Sequence, residues 1–269
     1  MSERVFILGL GNQKCGTTWL YHYLEQAQDF EGGFAKEYHV WDALDTHVKR
    51  ASRISWRRGL FGSRATKLRF KMHRSPHKYF EYFNGLYDDR VKITADITPS
   101  YCGLDTERLS FIRDNFCSMG VTVKPIILIR EPVSRIKSAV RFNLDRKNFN
   151  EGISMGETDF LKALRQYYKS EHAILRTSYQ VGISNAIKTF GSDNLYVGIY
   201  ENMFDTSEIE RMSEFLGVPP MSEFSATKVN QTKSKVESDS ELEQRIREKY
   251  ADTYDFCFDR YPQTQHLWS

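Results

Sequence analysis

Apolar positions along the chain gather into a few short unbroken runs separated by stretches with helical spacing. Residues 4–11 read Arg-Val-Phe-Ile-Leu-Gly-Leu-Gly, a nearly continuous apolar run of the kind that forms a strand buried on both faces of a parallel sheet. Residues 16–27 follow at once with Trp19, Leu20, Tyr23 and Leu24 at helical spacing, and Thr17 and Thr18 stand where a first turn or cap needs them. The opening of the chain therefore predicts strand, tight loop and helix.

Three further runs, 91–95, 121–129 and 195–200, have the same buried-strand character. Helical patterns occupy 104–118, 134–142, 159–190 and 207–216, and a polar stretch at 225–240 precedes a last helix starting near Glu241. Strands alternating with helices predict an α/β fold: a P-loop-like doubly wound sheet, central and mostly parallel, flanked by helices. Ligands of such sheets bind beyond the carboxyl ends of the strands. Repeats and long linkers are absent, so residues 1–269 read as a single domain.

Composition narrows the class without naming a partner. The 269 residues are 40% hydrophobic and 27% charged, the balance of a globular protein rather than a disordered, collagenous or coiled-coil one. Cys15, Cys102, Cys117 and Cys257 stand far apart without a C-x-x-C pair, which reads as free thiols in a reducing compartment. The first apolar run is far shorter than the ~20 residues that span a bilayer. These features predict a cytoplasmic protein with no membrane span. The 38 Lys and Arg against 35 Asp and Glu leave only +3, which by itself points to no nucleic-acid partner.

Between the first strand and its helix lies Gly11-Asn-Gln-Lys14-Cys15-Gly16-Thr17-Thr18. The G-x-x-x-x-G spacing is that of a phosphate-binding loop, placed at a helix N-terminus whose N–H groups can face one anion. A nucleotide triphosphatase would follow the second glycine with Lys and a hydroxyl residue for Mg²⁺. Thr17 occupies that Lys position and the lysine, Lys14, lies inside the loop. The bland alternative is a glycine-shaped turn with a solvated Lys14. The strand at 121–129 ends on Arg130-Glu-Pro132-Val-Ser-Arg135-Ile-Lys-Ser138, which puts an arginine fork on the ligand edge of the sheet, where it suits a phosphate. Taken alone, Arg130 could as well pair with Glu131.

Together the two segments resemble the sulfotransferases that use 3′-phosphoadenosine 5′-phosphosulfate (PAPS). Residues 11–20 are similar to the 5′-phosphosulfate loop, especially the G-x-Q-K-x-G-T-T-x-L form of the heparan sulfate enzymes. Arg130 to Ser138 match the family's R-x-P-x-x-R-x-x-S element, in which the first Arg and the Ser hold the 3′-phosphate. Weaker echoes are Thr98-Pro-Ser-Tyr101, a helix over residues 179–190 and Tyr200-Glu201. The resemblance implies a PAPS site formed by Gly11, Lys14, Cys15, Gly16, Thr17, Thr18, Trp19, Arg130 and Ser138, with Lys14 on the bridging oxygen and no metal. Lys36-Glu37-Tyr-His39-Val-Trp-Asp42 is similar to the E-x-H-x-x-D stretch of the heparan sulfate (N- and 3-O-) sulfotransferases. By that likeness Glu37 is the general base, with His39 and Asp42 orienting it or the acceptor, while the His-based cytosolic enzymes leave His39 as a second candidate. Where the heparan sulfate enzymes carry an acid followed by Lys before the Thr-Pro stretch, this chain has Asp96-Ile97.

One stretch changes the meaning of the near-neutral total. Residues 49–78 hold eleven Lys and Arg and no acid, which leaves −8 for the rest of the chain. Charge runs are usually solvated faces. Interleaved Trp56, Phe61 and Phe70 instead suggest stacking and anion binding, and the position after Glu37 makes Arg57, Arg58 and Arg64 candidates for an anionic or glycan-like acceptor. A second Lys-rich segment, 228–235, falls where related enzymes close over the 3′-phosphate. The competing readings are a P-loop nucleotide kinase, which needs the Lys missing at position 17, and a non-catalytic polyanion-binding module, which needs neither Lys14 nor Glu37.

Overall fold

Strand β1 (Arg4–Gly9) alternates its side chains between two cores, as a strand buried on both faces must. Phe6 and Leu8 enter one hydrophobic cluster, while Val5 and Ile7 enter the other. In the computed structural model, which describes residues 3–48, 53–221, 224 and 239–269, β1 is the middle of a five-stranded sheet. The others are β2 (Phe30–Glu31), β3 (Ile93–Ile97), β4 (Val121–Ile129) and β5 (Tyr196–Ile199). Their order is β2-β3-β1-β4-β5 and every pairing is parallel.

Helices cover both faces. On one side α1 (Thr17–Leu24) and α11 (Thr206–Leu216) pack Trp19, Leu20, Tyr23, Ile209 and Met212 against the sheet. The other side is thicker, with α5 (His77–Asn84), α6 (Thr106–Ser118), α7 (Pro132–Asp145) and α10 (Tyr179–Phe190) sharing the larger core. After β1 the chain runs to one side of the sheet, and from β3 it crosses to β4 on the other. The switch point beside the carboxyl ends of β1 and β4 is where such a sheet leaves a crevice.

Some local readings need correction. The stretch 159–190 is three helices, α8 (Phe160–Tyr167), α9 (Glu171–Thr177) and α10. The side chain of Ser170 accepts from Ala173 N at 3.1 Å and so caps a new helix start in the middle. Strand β2 has only two residues, too few for a pattern. Between positions 41 and 84 lie α2 (Trp41–Asp45), α3 (Trp56–Phe61), α4 (Arg64–Arg74) and α5, where the sequence reading placed no element. After α11 the described chain resumes in α12 (Ser240–Lys249), α13 (Ala251–Arg260) and α14 (Thr264–Leu267). Residues 225–238, with the Lys-rich segment 228–235, and Lys49 and Arg50 of the basic stretch lie outside the described residues.

Candidate active site

The loop from β1 to α1 continues β1's pairing before it turns, with Leu10 N bonded to Ile126 O and Asn12 N to Leu128 O, each at 2.9 Å. Gly11 and Gly16 have φ of 108° and 96°, conformations that cost an L side chain dearly. A Cβ on Gly16 would also meet Met203 Sδ at 2.6 Å. Gly16 is the N-cap of α1, and the first intrahelical bond of its turn is Leu20 N to Gly16 O, so the N–H groups of Thr17, Thr18 and Trp19 precede the ladder. They open into a cavity of about 870 Å³.

That cavity gathers Lys14, Gly16, Thr17, Thr18, Trp19, Glu37, His39, Arg130 and Ser138. Lys14 lies with Nζ 4.5 Å from the centre of the Phe142 ring. Its pKa is pushed down by burial and then by the nearby charges of Arg130 and Arg146, the electrostatic state of a cation held for an anion. Arg130 donates to Lys14 O at 3.3 Å, and its Cζ sits 4.3 Å from the centre of the Tyr200 ring. Its Nε is buried with no hydrogen-bond partner among the described residues. Ser138, on α7, is nearly buried at the same wall. Cys15 is fully buried and, like Gly11, is not among the residues that line the cavity; burial pushes its thiol up to about 12.

Glu37, His39 and Asp42 form one chain of contacts. His39 Nδ1 lies 2.8 Å from the buried Asp42 Oδ2, and Nε2 lies 3.2 Å from Glu37 Oε2. Burial opposes charging His39, yet its bonds to Asp42 and Glu37 outweigh it and raise the pKa to about 9. Burial likewise opposes ionising Glu37, but the His39 bond and the Lys36 ammonium, with Nζ 2.8 Å from Oε1, hold its carboxyl down to about 2. At neutral pH Glu37 is therefore a carboxylate and His39 an imidazolium.

Several lining residues escaped the sequence reading. Lys36 bridges Glu37 to the helix start, its Nζ 3.2 Å from Thr18 Oγ1 and 3.5 Å from Thr17 Oγ1. The signal was present, since Lys36 is the first residue of the quoted stretch. Arg176 is buried and pairs both its Nη atoms with Glu151, at 2.6 and 2.8 Å, and also reaches Gln13 Oε1 at 2.7 Å. Asp96, the acid kept before the Ile97 that replaces the related enzymes' lysine, is wholly buried and accepts from Thr98 Oγ1, Tyr101 OH and Tyr79 OH at 2.6, 2.8 and 2.9 Å. Arg57, Arg58 and Arg64 do not line the cavity; all three are exposed on α3 and α4. Phe70 turns inward, packed over Gly59 and 5.4 Å from Trp56. The basic stretch meets the site through two other residues: Arg69 Nη2 donates to Glu37 O and His73 Nε2 to His39 O, both at 2.8 Å.

A parallel sheet with a glycine loop at a helix start, an arginine at the neighbouring strand end and a carboxylate across the cavity brings anion-binding groups and an ionised acid to one place. The family is shown by comparison: residues 2–254 match the sulfotransferase domain, and the chain belongs to that family, whose common activity is sulfuryl transfer. In structure it is similar to a sulfotransferase from Alicyclobacillus acidocaldarius, with a TM-score of 0.56 at 21% identity over 94% of this chain and 93% of that one. The sulfotransferase domain of the Synechococcus PCC 7002 olefin synthase follows at a TM-score of 0.49 and 15% identity, over 93% of this chain and 94% of that one. At such identities the likeness concerns the fold. No curated protein matches the chain by sequence.

Proposed function

We propose that this sulfotransferase draws on PAPS and sulfates a hydroxyl or amine of an anionic acceptor, of the acidic-glycan class that the Glu37–Asp42 stretch implies, with Glu37 as the base. The observation that carries the reading is the convergence of Lys14, the α1 N-terminus, Arg130, Ser138 and Glu37 on one cavity. The unpartnered Arg130 Nε and the cation-crowded Lys14 fit a ligand with two separate anionic ends. The donor supplies the sulfuryl group, and adenosine 3′,5′-bisphosphate is what remains.

In this reading the N–H groups of Thr17, Thr18 and Trp19 hold the 5′-phosphate, and Arg130 and Ser138 hold the 3′-phosphate. Lys14 neutralises charge on the oxygen that departs from sulfur. The acceptor oxygen or nitrogen forms the new bond to sulfur as its proton passes to a Glu37 oxygen. A carboxyl held near 2 is ionised at every working pH but weakly basic. Lys36 resolves this, because it rests on Thr17 and Thr18, where the anion belongs. Drawn toward that anion, it leaves Glu37 and lets the carboxylate's basicity rise. His39, held charged by its bonds to Asp42 and Glu37, orients Glu37 and is poorly placed to accept a proton itself.

Calorimetry with adenosine 3′,5′-bisphosphate tests the proposal. Wild type binds, and Arg130→Ala weakens affinity by about 10- to 100-fold, the worth of one or two charge-assisted bonds. Glu37→Gln keeps that affinity and loses sulfuryl transfer. A wild-type protein that fails to bind the bisphosphate overturns the reading.

A further inference from the structure

Outside the cavity, the most unusual surface is the hairpin of α3 and α4. Gly59 is buried under the Phe70 ring, and a Cβ there would lie 2.4 Å from Phe70 Cγ, so the two helices close tightly and Phe70 is used up between them. What remains of α3 points out: Trp56 is 58%, Leu60 54% and Phe61 85% exposed. Those three are half of the six large apolar side chains that stand exposed among the described residues. Around them Arg53, Arg57, Arg58, Arg64, Lys67 and Lys71 are exposed, and none has an ion-pair partner among the described residues.

We infer that this hairpin is a docking surface for an anionic lipid bilayer, a role independent of the sulfuryl-transfer reading. Aromatic and aliphatic side chains ringed by arginine and lysine are what a protein lying on a membrane interface presents, because the apolar atoms enter the headgroup boundary while the cations meet lipid phosphates. Charge complementarity selects an anionic surface and orients the chain on it, since the chain outside residues 49–78, at −8, would be repelled from it. A soluble glycan would answer the arginines but gives Leu60 and Phe61 little apolar surface to cover them. Through Arg69 and His73 the hairpin is bonded to the backbone of Glu37 and His39, so docking holds the cavity beside the bilayer.

Of the four tryptophans only Trp56 is exposed; Trp19, Trp41 and Trp268 are 2%, 0% and 2% exposed. Its fluorescence therefore reports docking. With vesicles of phosphatidylcholine and phosphatidylglycerol the full chain co-sediments and its emission shifts to the blue; with phosphatidylcholine alone it does neither. Trp56→Phe removes the shift and keeps sedimentation. Leu60→Ser with Phe61→Ser lowers partitioning on the order of tenfold while melting and bisphosphate affinity stay those of wild type. Absence of sedimentation with the anionic vesicles overturns the proposal. So does sedimentation that the double serine variant leaves unweakened, which is the behaviour of a charge-only polyanion site such as one for a glycan.

Discussion

The two ends of the cavity are built differently. At the end proposed to hold the donor, the candidate groups follow strand ends: Lys14 to Trp19 come after β1, and Arg130 to Ser138 after β4. Their placement comes from glycine φ angles, a helix start and the sheet register. At the end proposed to hold the base, residues 36–40 are a loop that runs into α2 and is suspended by distant side chains. The N–H groups of Tyr38, His39 and Val40 donate to Thr98 and Tyr101, while Arg69 and His73 take the carbonyls of Glu37 and His39. Anion binding tolerates the generic geometry of a helix terminus, whereas a base must be held in reach of one proton. The second task recruits long-range polar contacts, so the base end should respond to substitutions that leave the donor end untouched.

The largest expected effect lies at Asp96. Its carboxylate collects three hydroxyls of Thr98, Tyr101 and Tyr79 and, at 3.3 Å, Tyr38 N. Burial raises its pKa to about 6 in spite of these donors, so the site uses much of its hydrogen bonding to keep a buried carboxylate ionised. Asp96→Ala strands the donors, and the cost should be about 3 kcal/mol of unfolding free energy or more, read from denaturant midpoints. Below its melting range the variant should bind adenosine 3′,5′-bisphosphate within about 0.5 kcal/mol of wild type, because Asp96 does not line the cavity, yet transfer sulfuryl poorly. A variant that loses bisphosphate affinity as well would break the division between the two ends.

His39 gives a smaller effect with a definite sign. Its folded pKa, about 9, lies above the ordinary 6.5. The stability it contributes is therefore complete below about 6.5 and is lost as pH rises toward 9. With the side chain 28% exposed, about 1–2 kcal/mol is a fair discounted figure. Glu37 runs the other way: its pKa falls from 4.5 to about 2, and its contribution is lost only in acid between those values. The two windows do not overlap, and because the buried Asp96 (about 6) and the buried Cys15 thiol (about 12) also bear on stability toward the ends of the range, the difference between wild type and His39→Gln from about pH 7 to 9 isolates His39. His39→Gln should flatten the slope, and a wild-type profile already flat there would contradict the bridge between Asp42 and Glu37.

The same division explains what the amino-acid order made legible. Strands β1 and β4, helices α1 and α7 and the two anion elements announce themselves locally, through continuous apolar runs, paired glycines and an arginine before proline. Lys36 belongs to a quoted stretch, but its partners Thr17 and Thr18 lie eighteen or so residues earlier and meet it only once β2 has paired with β3. The Arg176–Glu151 pair and the stacking of Arg130 on Tyr200 are tertiary in the same way. Helices α3 to α5 were hidden by composition, since eleven cations without an acid obscure the apolar period, although α5 buries Tyr79, Phe80 and Phe83. At Asp96-Ile97 a motif shows only that the lysine after the acid is missing, while the role of Asp96 depends on three hydroxyls that converge on it in the fold.

The smallest effect comes from the outer face of the hairpin, and it separates that face from the inner one. Arg57, Arg58 and Arg64 are exposed, and none of them bonds to the loop that carries Glu37. Reversing all three to Glu should change unfolding free energy by no more than about 0.5 kcal/mol and leave bisphosphate affinity unaltered. Arg69, on the same helix as Arg64, faces the site and holds the carbonyl of Glu37. Arg69→Ala releases that carbonyl and removes a part-buried cation stacked 6.0 Å from the Phe34 ring, so it should lower the transfer rate while sparing bisphosphate affinity. If the triple reversal slowed transfer on a soluble acceptor as much as Arg69→Ala, the inner and outer faces would be acting as one surface, and the base end would extend to the tip of the hairpin.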